Sequence, residues 1–355
     1  MSFDETAFVT GFPGFIAGCL VERLAKDGEP FLLLVQPPFV NRARAELQRI
    51  ANQSGNSLSN VRILEGDIAK TDLGLTRQDL QIARSQATEI FHLAAIYDLA
   101  VARDVAIQVN VGGTKNVNAF AQSLPNLHHY HYVSTCYVAG KREGQILETE
   151  LQHAAGFRNS YEESKYLAEI EVEALKSGLP ITIHRPAVVC GDSKTGETAK
   201  YDGVYYLIQY LRKWPSLLRL FNIGNHDVSL NLVPVDFVVD AMVALARDPR
   251  AIGKTLQLAD PNPLTTYELF NTISRRLIGS GSRITVPSVV QFTLMLPPSP
   301  RITDLPHHGV PYFFLKQTYD TKQARELLEP HDLLCPPFPS YADTIVDYAV
   351  SRPVL

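Results

Sequence analysis

A tyrosine and a lysine four residues apart are the side chains of this sequence best suited to do chemistry. They are Tyr161 and Lys165, in the segment Tyr161-Glu162-Glu163-Ser164-Lys165. Residues four apart share one face of a helix, so the phenol and the ammonium project together. A phenol can donate a proton to a carbonyl oxygen that becomes negative as its carbon accepts a hydride. The neighbouring ammonium is expected to stabilise the phenolate and lower the tyrosine pKa from its ordinary value of ~10.

A threonine upstream is the third member predicted for this catalytic group. Thr135 follows the strand-like run Tyr130–Ser134 and lies 26 residues before Tyr161 (161 − 135). Ligands bind at the carboxyl ends of strands in open parallel sheets, so its hydroxyl is expected to reach the substrate carbonyl oxygen. The sequence therefore predicts Thr135, Tyr161 and Lys165 as the catalytic residues of a hydride transfer, with Lys165 also holding the ribose of the cofactor.

A glycine turn near the N-terminus predicts the site for that cofactor. It follows one strand-like run and opens a helix-like run. Gly11 permits a tight turn, and Gly14 allows the backbone to approach a pyrophosphate lying at the helix N-terminus. The predicted cofactor contacts of this turn are Gly11, Phe12, Pro13, Gly14, Phe15 and Ile16.

The end of the second strand-like run bears on which nicotinamide cofactor is used. An acidic residue there would bind the ribose hydroxyls of NAD, but Val35 is followed by Gln36 and two prolines. Arg42 and Arg44 come shortly afterwards. We therefore expect NADP(H) to be favoured over NAD(H), with contacts from Gln36 and Arg42. The alternative is that both arginines are solvated helix surface.

Short apolar runs alternate with longer amphipathic ones through the first two-thirds of the chain. The strand-like runs are Ala7–Thr10, Phe31–Val35, Val61–Leu64, Glu89–Leu93, Tyr130–Ser134 and Ile181–His184. The helix-like stretches between them are Gly14–Lys26, Asn41–Gln53, Asp104–Ser123 and Asn159–Ser177. This alternation predicts an α/β fold, a Rossmann-type doubly wound parallel sheet.

The pattern loosens after about residue 190, so the chain is expected to divide unequally. Residues 1–190 are predicted to form mainly a dinucleotide-binding Rossmann domain. Residues 191–355 are predicted to form mainly a smaller C-terminal substrate-binding lobe, with some segments returning to the sheet. Strand-like Thr255–Leu258 and helix-like Thr266–Ile278 belong to this second part, and Gly191–Gly203 is predicted to be a loop.

Composition excludes several classes of protein. The chain has 355 residues, a formal net charge of −4 and a sequence pI near 6.2, which gives no reason to expect a nucleic-acid partner. No run reaches the length of a membrane-spanning helix, so no membrane span is expected. The cysteines are scattered, as in a reducing compartment, and cytoplasm is the expected location. The oligomeric state stays open, a homodimer included.

Three histidines ahead of a strand-like run invite a metal hypothesis. His129 and His131 would share one face of a strand, and His128 precedes them. No third ligand with suitable geometry is evident from the sequence, so no metal site is predicted.

Taken together, the motifs resemble those of the extended short-chain dehydrogenase/reductases. The matching segments, in the family's order, are Thr10–Gly14, Gly66–Ile68, His92–Ala95, Asn110–Thr114, Ser134–Thr135, the Tyr161/Lys165 pair and His184–Pro186. The resemblance implies that Asp67 and Ile68 contact the adenine end and that Ala94 and Ala95 line the cofactor. It also implies that Pro186, Ala187 and Val188 lie near the nicotinamide, and that Asn110 has a structural role.

Within that family the chain is most similar to the reductases of fatty acyl thioesters and fatty aldehydes, the male-sterility-type and thioester reductase-like proteins. The points of likeness include Ile96–Leu99, Ser134–Val138, Tyr161–Glu169, Gly191–Gly196 and Val233–Val238. This resemblance implies an NADPH-dependent reductase of a hydrophobic acyl aldehyde, an acyl thioester, or both. Its substrate would be bound to CoA or to a carrier protein, or be free.

Two other classes of function stay open. One is a nucleotide-sugar epimerase or dehydratase, or a hydroxysteroid-type dehydrogenase, which shares the sheet and the catalytic residues. The other is a sensor or scaffold that binds the dinucleotide without turnover. Aromatic residues of the second part favour a hydrophobic substrate, namely Tyr205, Tyr206, Trp214, Phe313 and Phe314. The apolar run Val289–Leu296 is interpreted as lobe core, with an acyl-chain tunnel wall as the alternative.

Overall fold

The computed structural model describes residues 6–55, 58–213, 221–222, 224–282, 284–285 and 310–352. The strands are β1 Ala7–Thr10, β2 Phe31–Val35, β3 Val61–Glu65, β4 Glu89–His92, β5 His129–Val133, β6 Gly144–Ile146, β7 Ile181–Pro186, β8 Val188–Cys190, β9 Phe221–Asn222, β10 Leu232–Pro234, β11 Thr255–Leu258, β12 Ile284–Thr285 and β13 Gln317–Tyr319. The helices are α1 Phe15–Lys26, α2 Val40–Ser54, α3 Arg77–Gln86, α4 Arg103–Ala106, α5 Gly113–Gln122, α6 Ser160–Glu173, α7 Val204–Lys213, α8 Val235–Ala246, α9 Thr266–Ile278, α10 Lys322–Leu328 and α11 Ala342–Ser351.

A seven-stranded parallel sheet forms the centre of the molecule, in the order β11-β7-β5-β4-β1-β2-β3. The chain starts in β1, moves outward to β3, and then returns to the other side through β4. This reversal makes the sheet doubly wound, as the alternating pattern predicted. The strands of such a sheet are buried on both faces, and β2 shows this in the all-apolar sequence Phe-Leu-Leu-Leu-Val, every residue of which is buried.

Two apolar cores lie on opposite faces of the sheet because successive strand residues point to opposite sides. Phe31 and Leu33 of β2 pack in the core that includes α1, α2 and α8. Leu32 and Leu34 pack in the core that includes α3, α5 and α6. The crossover helix α3 was not predicted. Its sequence carries a single buried residue, Ala83, so it shows little apolar periodicity.

The second part of the chain contributes both to the sheet and to a separate apolar core. Strand β11 pairs in parallel with β7 at the edge of the sheet. Helices α7, α9 and α11 surround their own core, which contains Tyr205, Phe270 and Ile345. Gly191–Gly203 lacks helix and strand, in agreement with the predicted loop. Among the described residues no helix is both long enough and apolar enough to span a bilayer.

Candidate active site

The predicted site residues come from different elements that end at one edge of the sheet. β1 pairs in parallel with β4, and β4 with β5, so the segments that follow these strands lie side by side. The glycine turn follows β1, Ala94 and Ala95 follow β4, and Thr135 follows β5. Pro186 ends β7, and Ala187 and Val188 come directly after it. Tyr161 lies in the first turn of α6.

The glycine turn forms a cradle that only glycine can build. Gly11 has φ +95°, and a Cβ there would lie 2.9 Å from the backbone nitrogen of Ala94. A Cβ on Gly14 would lie 2.7 Å from the backbone oxygen of Gly11. Gly14 is also the exposed N-cap of α1, whose first turn no described side chain caps. This backbone-lined helix N-terminus suits the pyrophosphate of a dinucleotide.

The other residues of the turn anchor it to the fold. Phe12 is buried in the core beneath the sheet face that α1 covers. Pro13, Phe15 and Ile16 are half-buried, and the last two pack against that same core. Packing of these side chains against the core therefore fixes the turn, while Gly14 stays exposed to solvent.

Thr135 and Tyr161 interact directly. Thr135 is buried, and its Oγ1 accepts a hydrogen bond from the backbone nitrogen of Tyr137 at 3.3 Å. Burial raises the pKa of Tyr161 above its ordinary value, and a hydrogen bond with the Thr135 side chain opposes that rise. The sequence predicted a lowered pKa for Tyr161. The structure gives the opposite direction, because desolvation of the phenolate outweighs the neighbouring groups.

Lys165 is buried in the same site, but its nitrogen binds groups other than Tyr161. Its Nζ donates to the hydroxyl of Tyr132 at 2.9 Å and to the carbonyl oxygen of Val133 at 2.8 Å. Burial lowers the pKa of Lys165 to about 7, while the charge of Glu169 one turn along the helix acts to raise it. Lys165 can therefore change its charge near neutral pH. The sequence alone does not reveal this role of Tyr132, because a tyrosine in an apolar strand has the pattern of a core residue.

The N-terminus of α6 is clamped from the far end of the chain. Asn159 caps the helix, its Oδ1 accepting from the backbone nitrogen of Glu162 at 3.0 Å. The Asn159 amide also donates to the hydroxyl of Tyr312 at 2.7 Å, and that hydroxyl donates to Glu162 Oε1 at 2.6 Å. The first turn of α6, which carries Tyr161, is thus held on both sides.

A buried ion pair fastens the middle of α6 to the sheet. Arg185 of β7 binds Glu169, with 2.9 Å between Nε and Oε1, and both side chains are almost fully buried. Ser134 donates its hydroxyl hydrogen to the other carboxylate oxygen of Glu169. Arg185 also donates to the carbonyl oxygen of Glu150 at 2.9 Å. The sequence analysis assigned no role to Glu169, although its position four residues after Lys165 placed it on the same helix face.

Asn110 bridges two parts of the site and thereby has the structural role that the resemblance implied. A π-helical turn, Ile107–Gly112, separates α4 from α5 where the sequence predicted one continuous helix. Its Asn110 Oδ1 accepts from the backbone nitrogen of Ile96 at 2.8 Å, and its amide donates to Ser164 Oγ at 2.9 Å.

A loop from the second part of the chain lies against Tyr97, which in turn contacts Tyr161. The ring of Tyr97 meets that of Tyr161 edge-on, with 5.0 Å between ring centroids. Lys200 Nζ lies 4.6 Å from the Tyr97 ring centroid, and the same nitrogen is 3.7 Å from a carboxylate oxygen of Asp202. Tyr97 was noticed as a point of family likeness, and Lys200 and Asp202 were missed because sequence spacing cannot place a loop over a distant helix.

The predicted adenine-end residues line the far side of the sheet's carboxyl edge. Asp67 follows β3, and its Oδ1 accepts from the backbone nitrogen of Ala69 at 2.9 Å. Ile68 is buried, and its carbonyl oxygen accepts from the Asn116 amide at 2.7 Å. Gln36 is half-buried at the end of β2, and Arg42 is exposed in the first turn of α2, without an ion pair to any described residue.

Three of the buried groups at the opposite edge of the sheet are close enough to consider as metal ligands. Potential ligand atoms of Glu89, His129 and His131 lie within 4.8 Å of one another, so Glu89 is the third group that the sequence did not reveal. Each histidine already has protein partners, with 3.2 Å between His131 Nε2 and Glu89 Oε1 and 2.7 Å between His129 Nε2 and Thr182 Oγ1. Hydrogen bonding within the protein accounts for this cluster.

The aromatic residues expected to favour a hydrophobic substrate have mixed positions. Tyr205 is 1% exposed and belongs to the core of the lobe. Tyr206, Phe313 and Phe314 are half-buried against that core. Trp214 and the run Val289–Leu296 lie outside the described residues, so the interpretation of that run as lobe core or tunnel wall stays a prediction.

Comparison with known proteins bears on the same residues. The family model described as "Male sterility protein" matches residues 9–242. The chain is 24% identical over 286 residues to the glycine betaine reductase ATRR of Emericella nidulans, which covers 76% of this chain and 22% of that protein. It is 25% identical over 282 residues to the fatty acyl-CoA reductase wat of Drosophila melanogaster, which covers 69% of this chain and 54% of that protein. The chain thus spans about a fifth and about half of these two relatives.

Among solved structures, the chain is similar to the terminal R domain from the myxalamid PKS-NRPS biosynthetic pathway. The TM-score is 0.83 at 25% sequence identity, over 98% of this chain and 91% of that chain. The agreement extends over both the sheet and the second part of the chain.

Proposed function

The chain belongs to the male sterility protein family, a group of extended short-chain dehydrogenase/reductases that use NAD(P), and from this premise we propose that it reduces a hydrophobic acyl thioester, the corresponding aldehyde, or both, with NADPH. The observation that carries the proposal is the contact of Thr135 with Tyr161, one helical turn from Lys165, at the sheet edge that also holds the glycine cradle. This arrangement supports proton donation to a carbonyl oxygen.

Each residue has its own role in the proposed reaction. When bound, the nicotinamide supplies the hydride to the carbonyl carbon. Tyr161 donates its proton to the carbonyl oxygen, and its raised pKa keeps it protonated at neutral pH, as a proton donor requires. Thr135 orients the oxygen by a hydrogen bond. Gly11 and Gly14 would hold the pyrophosphate, and Lys165 would hold the nicotinamide ribose.

The proposed substrate class comes from the relatives. One is named as a fatty acyl-CoA reductase and another as the terminal R domain of a PKS-NRPS pathway. The first name points to an acyl thioester of CoA, and the resemblance to thioester reductases extends the proposal to acyl groups on a carrier protein. An aldehyde that takes up the hydride and the Tyr161 proton becomes an alcohol. A thioester becomes a hemithioacetal by the same addition, and its C–S bond then breaks to release the thiol and an aldehyde, so the site chemistry suits both.

The substrate class is testable with one panel. NADPH oxidation by the purified chain is measured with long-chain acyl-CoAs, the same acyl groups on a phosphopantetheinylated carrier protein, the matching aldehydes, UDP-sugars and hydroxysteroids. We expect turnover with at least one acyl substrate and none with UDP-sugars or steroids. Turnover confined to sugar nucleotides or steroids would replace the proposal with the epimerase or dehydrogenase alternative.

The NADPH preference is proposed from Arg42, which is exposed in the first turn of α2 and beyond the end of β2. A guanidinium there would bind the 2′-phosphate of NADP(H), as a charge-assisted pair worth about 1.5–3 kcal/mol. Replacing Arg42 by alanine is expected to weaken NADPH binding about tenfold or more and to leave NADH binding within twofold, measured by fluorescence titration.

Arg44 provides the matched control for this prediction. It is also exposed in α2, but residues two apart point to different sides of a helix. Arg44→Ala is expected to change neither affinity. Equal weakening of NADPH binding in both variants, or none in Arg42→Ala, would remove Arg42 from the phosphate site.

A further inference from the structure

The ammonium of Lys165 is hydrogen-bonded to a buried tyrosine, Tyr132, that belongs to none of the sequence motifs. Its Nζ donates to the phenol oxygen of Tyr132 at 2.9 Å and to the Val133 carbonyl oxygen at 2.8 Å. An ammonium has three donors, so these bonds leave one for a ligand. We propose that Tyr132 is a positioning residue, which holds the ammonium of Lys165 in its charged form and aims its third N–H at the cofactor ribose. The proposal rests on the proposed function, because it assigns Lys165 to the bound cofactor.

A threonine orients the hydroxyl of Tyr132. Thr114 Oγ1 donates to the carbonyl oxygen of Asn110 at 2.6 Å, which uses its single hydrogen. Its remaining capacity is to accept, and it is hydrogen-bonded to the side chain of Tyr132. The Tyr132 hydroxyl therefore donates to Thr114 and keeps its lone pairs for Lys165.

A second series of donations reaches Thr114 from the glycine turn. Thr10 Oγ1 accepts from the backbone nitrogen of Ala94 at 3.1 Å and lies 2.8 Å from His92 Nδ1, to which it donates. The hydrogen of His92 is then on Nε2, which donates to Thr114 Oγ1 at 3.1 Å. Burial lowers the pKa of His92 to about 3, so the ring is neutral and this single arrangement satisfies every member.

The Asn110 side chain is not the group that supports Lys165, because its hydrogen bonds are made to other residues. The Asn110 side chain is hydrogen-bonded to Ile96 and to Ser164 by both its oxygen and its amide. Val133 supplies only a backbone carbonyl, which no substitution removes. Tyr132 is therefore the side chain whose oxygen can be tested.

Four ionisable side chains surround Lys165. Burial lowers the lysine pKa, and Glu169 on its own helix acts to raise it, whereas His92 of β4 is held neutral by its burial and by the charge of Lys165. Tyr132 comes from β5, and Tyr161 precedes Lys165 on α6. The bond from Nζ to Tyr132 is made by a donor of the charged form, so its loss favours the neutral amine and lowers the lysine pKa further.

The test removes one oxygen atom. Tyr132→Phe keeps the ring and its volume, and the dissociation constant of NADPH is measured by fluorescence between about pH 6 and pH 9. Binding to the unchanged chain is expected to weaken as the pH rises through the Lys165 pKa near 7. In Tyr132→Phe this inflection is expected about one pH unit lower, which gives up to tenfold weaker binding between the two inflections. The kcat for the acyl substrate is expected to follow the same displacement, while its KM stays within twofold.

Tyr130→Phe is the matched control. Tyr130 lies on the same strand and the same face, is fully buried, and donates its hydroxyl to Asn118 Oδ1 at 2.9 Å. This variant loses a comparable buried hydrogen bond away from Lys165, so its inflection is expected to stay in place. Thr114→Val, which removes the acceptor of the Tyr132 hydroxyl, is expected to displace the inflection in the same direction by less.

An unmoved inflection in Tyr132→Phe, or an equal displacement in Tyr130→Phe, overturns the proposal. If Tyr132→Phe fails to fold, Thr114→Val decides instead, and an unmoved inflection there overturns the proposal equally. The cofactor titration needs no acyl substrate. A displaced inflection therefore supports the role of Tyr132 even where the thioester panel shows no turnover, which separates the failure of the two proposals.

Discussion

Tyr161→Phe is expected to lower kcat for the acyl substrate by about 10²–10⁴-fold and to leave NADPH binding within twofold. General acid catalysis contributes a factor of this size, and phenylalanine removes the proton donor while keeping the ring. The ring contact with Tyr97, at 5.0 Å between centroids, can persist. Thr135 then retains its place and can still orient the carbonyl oxygen, but no phenol is left to donate a proton. The measurement is steady-state NADPH oxidation, with cofactor affinity determined separately by fluorescence.

Tyr166→Phe is the control on the same helix. Tyr166 is half-buried, and its ring contacts those of His153 and Phe157. It lies beyond the first turn of α6, which carries Tyr161. Its variant is expected to keep kcat within about twofold. A Tyr161→Phe protein that turned over as fast as this control would exclude Tyr161 as proton donor. Tight NADPH binding by the unchanged chain with no turnover of any substrate would instead favour the hypothesis that the chain binds a dinucleotide without using it.

The folded chain is expected to lose several kcal/mol of stability in mild acid. Among the residues that the structure describes, four histidines are buried in the sheet, namely His92, His129, His131 and His184. Burial lowers the pKa of the first three to about 3, and that of His184 well below its ordinary value. In the unfolded chain the same rings bind protons below about pH 6.5, whereas in the folded state they stay unprotonated until about pH 3, so the unfolded state binds more protons in this range. The contribution of these four neutral rings to the free energy of unfolding is therefore fully present above pH 6.5 and is lost progressively as the pH falls towards 3.

The expected size follows from the linkage relation. At about pH 5.5 each histidine contributes a loss of about 1 kcal/mol relative to pH 7.5, to order of magnitude. Glu148 acts in the opposite direction, because burial raises its pKa to about 7 and the folded state then holds a proton that the unfolded state has released. The net expected loss is about 3 kcal/mol, measured as the free energy of unfolding in urea at both pH values.

A single substitution tests the assignment to the buried rings. His184→Gln removes one of the four groups, so the slope of the unfolding free energy against pH below 6.5 should fall by about one proton. His331→Gln removes an exposed histidine and serves as the control with an unchanged slope. Equal slopes in all three proteins would mean that acid destabilisation arises elsewhere.

The fold class predicted from the sequence is confirmed, whereas the catalytic group stays a prediction, and local physics is the basis of both. Residues four apart in a helix share one face, so the positions of Tyr161 and Lys165 are enough to place them together. Gly11 and Gly14 mark a turn in which a Cβ at either position would clash with backbone atoms. The strands of the sheet were predicted within one or two residues, since a parallel strand buried on both faces is a nearly continuous apolar run. The motif order then implied the family that the model match over residues 9–242 shows.

The support of the catalytic group depended on the tertiary structure. Tyr132 has the sequence pattern of an ordinary core residue, and Glu169 and Arg185 belong to family motifs that assign them no contact. Only the packing of α6 against β5 and β7 brings these side chains to Lys165 and to one another. The direction of the Tyr161 pKa was predicted wrongly for the same reason, because desolvation depends on burial and local spacing carries no information about it. Sequence by itself determined which side chains are candidates for the reaction and which strands form the sheet, since both follow from interactions between near neighbours along the chain. Only the tertiary structure decided what holds those side chains and how strongly water is excluded from them, since both depend on residues tens to hundreds of positions apart.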